Sequence, residues 1–361
     1  MLATLRYLFR RLLFIPLSLF VVTALLYGAL MLAPPETRAS LYLNAGGGKA
    51  RNEEGDIDPS RLQAILVRRY GLDDPYPVQY GRWAWNLLQG NWGWSPSLKS
   101  DVLAALLERA PATAELALYS LLLFIPLGLA SGVLAGAHAN RAFDRAFRLS
   151  AFVATSIPPF VLALVLLGVF YAGLGWFAPE RTGISESFIV ASAGFHTYTG
   201  FLTIDGLLNG RPDIAWDALR HLAMPVVTLS LVHWATLGRL TRVTMIEELQ
   251  KDYVTAARGR GLTRSAVLWK HALRNAVLPG LNSTALSAAS LVTGVFVVEL
   301  IYNFPGVSEV LTRATWLSAG PDIATTVGFG VFSVLLVVPL MLVLDLIQAL
   351  VDPRLREESA R

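Results

Sequence analysis

The 361-residue chain contains no cysteine. This absence excludes disulfide bonds, thiolate nucleophiles, cysteine-ligated zinc and iron–sulfur clusters. Charged residues are also scarce, at 16% of the chain, and the net charge is only +4. Because nucleic-acid binding depends on a concentrated basic surface, we expect no nucleic-acid partner. Apolar side chains are abundant instead, at 54% of the residues, and they predict a membrane protein.

Motifs of common catalytic sites are absent as well. The sequence has no His-Glu-x-x-His, no Gly-x-Ser-x-Gly and no pair of aspartates inside an apolar stretch. Residues 46–49 are three glycines and a lysine, but their spacing is wrong for a phosphate-binding loop and Ala50 replaces the required Ser or Thr. We therefore predict that the chain is not an enzyme and itself binds no metal or cofactor.

Six apolar stretches are long enough to cross about 30 Å of hydrocarbon as helices. They are residues 12–32, 116–137, 149–178, 222–238, 280–302 and 323–350. The fourth is the shortest, and a start nearer Trp216 is the alternative. The first is too long for a secretory signal and is interpreted as a retained anchor. The predicted fold is an all-α integral membrane protein with six transmembrane helices.

The distribution of basic residues predicts the orientation, because Lys and Arg in short loops stay on the cytoplasmic side. Segments 1–11, 138–148 and 239–279 have an excess of Lys and Arg, whereas the segments on the other side have none. Both termini are therefore expected in the cytoplasm. The predicted division is a terminus with the first span (1–32), a small extracytoplasmic cap (33–111), a five-helix core (112–350) and a cytoplasmic tail (351–361).

The cap contains one clear helix and a cluster of tryptophans. The helix is expected to start at Asp58 and Pro59 and to stop at Gly71. The tryptophans at 83, 85, 92 and 94 suit a segment at the level of the lipid headgroups, with carbohydrate stacking as the alternative.

The inner loop 239–279 reads as two helices separated by a break. The first is expected from Thr241 to Arg260 with Gly261 as its stop, and the second from its N-cap Thr263 to Pro279, where the fifth span begins. Small residues, Ala256 and Ala257, leave the backbone exposed between basic side chains. This pattern favours docking of another protein, while contact with anionic headgroups is the alternative.

The same loop resembles the EAA loop of ABC-importer permeases, most closely that of the dipeptide/oligopeptide subfamily. The resemblance rests on Tyr253 to Leu262 and Lys270 to Pro279. Further matches are residues 111–118, 156–160, 221–225 and 351–354. Two departures are visible: Thr255 replaces the Glu of the general motif, and Gly259 replaces the Ala that is usual in the subfamily.

The resemblance implies a type I importer permease in a bacterial or archaeal plasma membrane. It implies two ATP-binding subunits that carry ATP and Mg, a second and related permease chain, and an extracytoplasmic solute-binding protein. Eight residues are implied to contact the ATPase. They are Tyr253, Thr255, Ala256, Ala257, Arg258, Gly261, Leu262 and Thr263. The expected solute is a peptide, with oligosaccharides, nickel and opines left open.

Several residues inside the spans are candidates for the translocation path. Ser283, Ser287 and Ser290 share one stripe of the fifth span, where lining the path and helix packing are both open. Pro158 and Pro159, next to Ser156, interrupt the third span and predict either a hinge or a static kink.

Other polar and small residues of the spans favour structural roles. Gly128, Gly132 and Gly136 recur every four residues and predict close helix packing. His233 is interpreted as a neutral side chain bonded inside the bundle, although a proton relay is the alternative. Glu299 and Asp345 are expected to make interfacial or inter-helix hydrogen bonds. Because the spans contain no central carboxylate, an ion-coupled carrier is less favoured.

Overall fold

The computed structural model describes residues 16, 17, 19–42, 51, 52, 55, 56, 59–316 and 322–351. Asp58, the glycine-rich residues 46–49 and the tail from 352 lie outside this part. The described chain is mostly helical, and it divides into two units. The large unit consists of residues 1–8, 112–305 and 337–361, and the small unit of residues 9–111 and 306–336.

The first part of the chain forms short helices and two minimal hairpins. The helices are α1 (Leu19–Leu30), α2 (Pro35–Arg38), a 3-10 turn (Ala39–Tyr42), α3 (Pro59–Tyr70) and α4 (Tyr76–Leu88). The strands are β1 (Arg51–Asn52) paired antiparallel with β2 (Gly55–Asp56), and β3 (Trp94–Ser95) paired antiparallel with β4 (Ser100–Asp101).

Longer helices dominate the rest. They are α5 (Val102–Ala137), α6 (Ala142–Ser156), α7 (Pro159–Leu166) with a π-helical end (Leu167–Gly173), α8 (Ile184–Val190), α9 (Leu202–Leu208), α10 (Pro212–Glu248), α11 (Asp252–Gly259), a π-helical segment (Ala266–Ala272), α12 (Leu273–Ile301), α13 (Val307–Trp316) and α14 (Ile323–Val351). Within the large unit, α10 is central and contacts α6, α7, α9 and α12.

At least two helices of the described chain, α5 and α10, are long and apolar enough to cross a membrane. The pair of α6 with α7 and its π-helical end makes a third candidate, bent by 100°. The described apolar parts of α1 and α14, Leu19–Leu30 and Ile323–Val337, are shorter. The early start of α10 at Pro212 agrees with the alternative start near Trp216.

The interruption predicted at Pro158 and Pro159 is a complete break between two helices. Ile157 has an extended backbone (φ −95°, ψ 120°), as expected for a residue before proline. Helix α6 therefore ends at Ser156, and α7 restarts with Pro159 at its first position, where no backbone N–H is needed. Two adjacent prolines stop one helix and start the next.

The predicted loop helix from Thr241 to Arg260 is wrong in its first half. Helix α10 continues to Glu248, and a separate α11 begins at Asp252. The residues from 241 to 248 contain neither Gly nor Pro, and Thr241 and Met245 are buried, so packing extends the spanning helix. Pro279 likewise lies inside the continuous helix α12 and does not start it.

The small unit has an aromatic core around Trp83. This tryptophan is 6% exposed, and its ring centroid lies 5.1 Å from that of Tyr27. Trp92 packs against Phe332, whereas Trp85 is 61% exposed. Trp83 therefore belongs to the core of this unit, and the position of the tryptophans at the headgroups stays a prediction. The predicted helix start at Pro59 is confirmed.

Candidate functional site

The segment from Leu249 to Ser265, called the elbow, follows the end of α10. Its helix α11 buries one face, formed by Val254 and Ala257, against Val267. These two residues are three positions apart, which places them on the same side of a helix. The opposite side of α11 is exposed.

The end of α11 is closed by a left-handed glycine, as the sequence predicts. Gly261 has φ +78°, and its N–H donates to the carbonyl of Arg258 at 2.9 Å. The N–H of Leu262 donates to the carbonyl of Ala257 at 3.3 Å. This pair of bonds is the Schellman motif. The next helical segment starts with Thr263, whose Oγ1 accepts from the Ala266 N–H at 3.3 Å, so the predicted N-cap is confirmed.

The exposed side of α11, called the elbow face, carries small or short side chains. Asp252, Thr255, Ala256 and Gly259 follow the i, i+3, i+4, i+7 spacing of one helix face, and all four are exposed. A Cβ placed on Gly259 would meet no atom within 4 Å. Gly259 therefore has no packing role inside the described chain. Another backbone could approach this face closely.

The structure brings the eight predicted contact residues together but does not expose all of them. Thr255, Ala256, Arg258, Gly261, Leu262 and Thr263 are exposed. Ala257 is only 2% exposed, so the expectation that its backbone lies open is wrong. Tyr253 is half-buried and points inward to Glu248.

Glu248 joins the end of α10 to the elbow, which sequence reasoning missed. Its carboxylate accepts from the Tyr253 hydroxyl at 2.6 Å and from Lys251 Nζ at 2.5 Å. Burial and the bond to Glu248 raise the pKa of Tyr253, so its hydroxyl stays a protonated donor at neutral pH.

Further polar contacts attach this region to neighbouring helices. Arg264 Nη2 lies 3.3 Å from the Ala137 carbonyl and 3.2 Å from His138 Nε2 at the end of α5. Arg242 on α10 forms two hydrogen bonds to the fully buried Asp144 of α6. The elbow is therefore tied to α5 and α10, and α10 is tied to α6.

The candidate path residues do not converge in the same way. The exposed Ser156 donates to the Phe152 carbonyl at 2.8 Å, so its hydroxyl is hydrogen-bonded within its own helix. The side chains of Ser283 and Ser287 lie outside the described part, and Ser290 is exposed. The ring of His233 lies 5.4 Å from that of Phe124.

Two buried carboxylates near the other end of the large unit join separate segments. Glu299 accepts from Thr113 Oγ1 at 2.6 Å, which confirms its predicted inter-helix bond. Glu115 accepts from Thr203 Oγ1 at 2.6 Å and from Arg181 at 2.7 Å. This second cluster fastens the 179–221 segment to α5. The side chain of Asp345 lies outside the described part.

Comparisons with known proteins give one consistent result. A family model described as "Binding-protein-dependent transport system inner membrane component" matches residues 125–357. The di/tripeptide transport system permease protein DppB of Pseudomonas aeruginosa is 33% identical over 84% of this chain and 88% of its own length. The oligopeptide transport system permease protein AppB of Bacillus subtilis is 32% identical over 83% and 87%. The probable D,D-dipeptide transport system permease protein DdpB of Escherichia coli is 31% identical over 86% and 88%.

Proposed function

Because the chain belongs to the family of binding-protein-dependent transport system inner membrane components, we propose that it forms half of the translocation path of an ATP-driven peptide importer. The membership confirms the resemblance seen in the elbow sequence, and the chain is an inner-membrane transport component. An extracytoplasmic binding protein delivers the solute, and a second, related permease completes the path.

Support for a peptide solute comes from the similar proteins. The three relatives above are all named as transporters of peptides, and each matches more than four-fifths of this chain. Oligosaccharides, nickel and opines are the alternative solutes. Purifying the partner binding protein and identifying what it retains by mass spectrometry tests the assignment. A retained sugar or metal, without peptide, would overturn it.

The elbow is proposed to dock on a separate ATPase, with ATP and Mg bound there. The observation that carries this proposal is the elbow face, because a protein groove can seat a helix whose exposed side has no long side chains. Arg258 beside this face provides a charge for an acidic residue of the partner. Two ATP-binding subunits then serve two permease chains.

A matched pair of substitutions tests docking. Ala256→Trp places a bulky ring on the elbow face, whereas Ala146→Trp makes the same change at an exposed site of α6. We expect only the first to abolish co-purification of the ATPase and ATP hydrolysis stimulated by the loaded binding protein. Equal retention of the ATPase by both variants would contradict the proposed docking surface.

The proposed topology has six spans with both termini in the cytoplasm. The excess of Lys and Arg in 138–148 and 239–279 supports this orientation. Because the chain has no cysteine, single cysteines report sidedness without background. We expect Arg260→Cys to be protected from a membrane-impermeant maleimide in intact cells and Ser185→Cys to be labelled. The reverse pattern would exclude the orientation.

An ion-coupled carrier is the second candidate function. It predicts transport by the purified chain alone in liposomes, driven by an ion gradient. Under the proposed function, the chain alone transports nothing, and transport appears only with the second permease, the ATPase and the binding protein.

A further inference from the structure

One carboxylate links the elbow to the long helix α10. Glu248 is the last residue of α10, and residues 249–251 separate it from α11. Its side chain is 12% exposed and accepts from the Tyr253 hydroxyl of α11 at 2.6 Å. Because a buried carboxylate is costly to leave unpaired, it constrains the positions of its donors.

Apolar contacts alone hold α11 only weakly. Val254 and Ala257 are its two buried residues, and they pack with Val267 and the partly buried Leu249 and Tyr253. By contrast, α10 and α12 have a direct link of their own, since Thr244 Oγ1 donates to the Ala276 carbonyl at 2.9 Å. The orientation of α11 relative to this pair therefore depends on the polar contacts of Glu248.

We propose that Glu248 and Tyr253 are positioning residues that fix α11 to α10, so that a displacement of the elbow moves α10 and, through the bond from Thr244 to the Ala276 carbonyl, α12 with it. The inference rests on the proposed role of the elbow in energy coupling. Lys251 provides a control, because it contacts the same carboxylate but is 55% exposed and lies in the connecting segment.

The first test measures how firmly α11 is held to α10 in the full chain, without any partner protein. The cysteine-free sequence allows spin labels at Val243→Cys on α10 and Arg260→Cys at the end of α11, both exposed sites. In lipid nanodiscs, we expect a narrow distance distribution between the labels. Tyr253→Phe should broaden it, Glu248→Gln should give an intermediate width, and Lys251→Ala should leave it unchanged. Equal widths in all four proteins would overturn the inference.

The second test measures coupling in the assembled transporter, with a radiolabelled dipeptide and its binding protein. We expect Tyr253→Phe to retain the ATPase but to lower the number of dipeptides moved per ATP by at least about fivefold, the low end of typical coupling between sites. Lys251→Ala should keep the normal ratio. A normal ratio in Tyr253→Phe would overturn the inference.

The two tests distinguish an error in this inference from an error in the proposed function. If the unsubstituted chain binds no ATPase, the proposed function is wrong, and the distance distributions alone decide whether Glu248 and Tyr253 fix α11. If the ATPase binds and the distance distributions are equal, Glu248 and Tyr253 do not fix α11, and the proposed function stands.

Discussion

The close contact between α5 and α10 depends on glycine at position 132. A Cβ built there would lie 2.6 Å from the Gly238 carbonyl oxygen and 2.6 Å from Thr241 Cβ. Ordinary van der Waals contact begins at 3.4 Å. Backbone cannot rotate away as a long side chain can. Gly132→Ala must therefore push the two helices apart by about 0.8 Å, and overpacking of this kind costs about 1–3 kcal/mol.

Gly168→Ala is the matched control, because a Cβ at Gly168 would meet nothing within 4 Å. Both substitutions make the same chemical change within apolar helical segments, so their difference isolates the steric cost. Thermal unfolding of the purified chain in detergent should give a lower melting temperature for Gly132→Ala than for Gly168→Ala.

Substitutions at the neighbouring glycines should destabilise the protein to different degrees. A Cβ at Gly136 would lie 2.7 Å from Met245 Cβ, whereas one at Gly128 would lie 3.0 Å or more from the side chain of Leu237. Destabilisation should therefore be smallest for Gly128→Ala. If Gly132→Ala and Gly168→Ala unfold at the same temperature, the helices are not in contact at this stripe and the reasoning is wrong.

Three further predictions concern other parts of the large unit. Gly261→Val forces a β-branched residue into the left-handed region, at a cost of about 1–2 kcal/mol; membrane insertion should be normal on immunoblots, and stimulated ATP hydrolysis should be lost. Asp144→Asn removes the charge that faces Arg242 and should lower the free energy of unfolding by about 3–5 kcal/mol, whereas Arg148→Ala, at a half-exposed partner, should change it by less than about 1 kcal/mol. Glu115→Gln places an amide N–H next to the donors Thr203 and Arg181, at a cost of about 1–3 kcal/mol. We expect increased proteolysis within 179–221. Unchanged protection from the protease would contradict the role of Glu115 in holding this segment to α5.

Helix ends fixed by local chemistry were predictable from the sequence. The left-handed Gly261, the N-cap Thr263 and the helix start at Pro59 each depend on a few neighbouring residues, and the structure agrees with all three. The burial of Ala257 was also readable, because Val254 three positions earlier marks the apolar side of α11. Attention to small residues alone obscured that periodicity.

Contacts between distant segments were not predictable in this way. Asp144 and Arg242 are 98 positions apart, and Glu115 and Thr203 are 88 apart. No local pattern indicates which acid will meet which donor, because the pairing depends on how helices pack. The same reason explains α10: its continuation to Glu248 follows from burial of Thr241 and Met245, which the sequence around them does not reveal.

The contacts of the elbow determine where the large unit can bend. Glu248 fixes α11 to α10, Arg264 reaches the end of α5, and the stripe at Gly132 and Gly136 holds α5 against α10. A displacement of α11 is therefore expected to move α5 and α10 together, because these two helices are closely packed against each other. Bending must then occur where helical hydrogen bonds are missing, and the interruption between Ser156 and Pro159 is such a place. This reasoning favours the hinge hypothesis for the two prolines over a static kink.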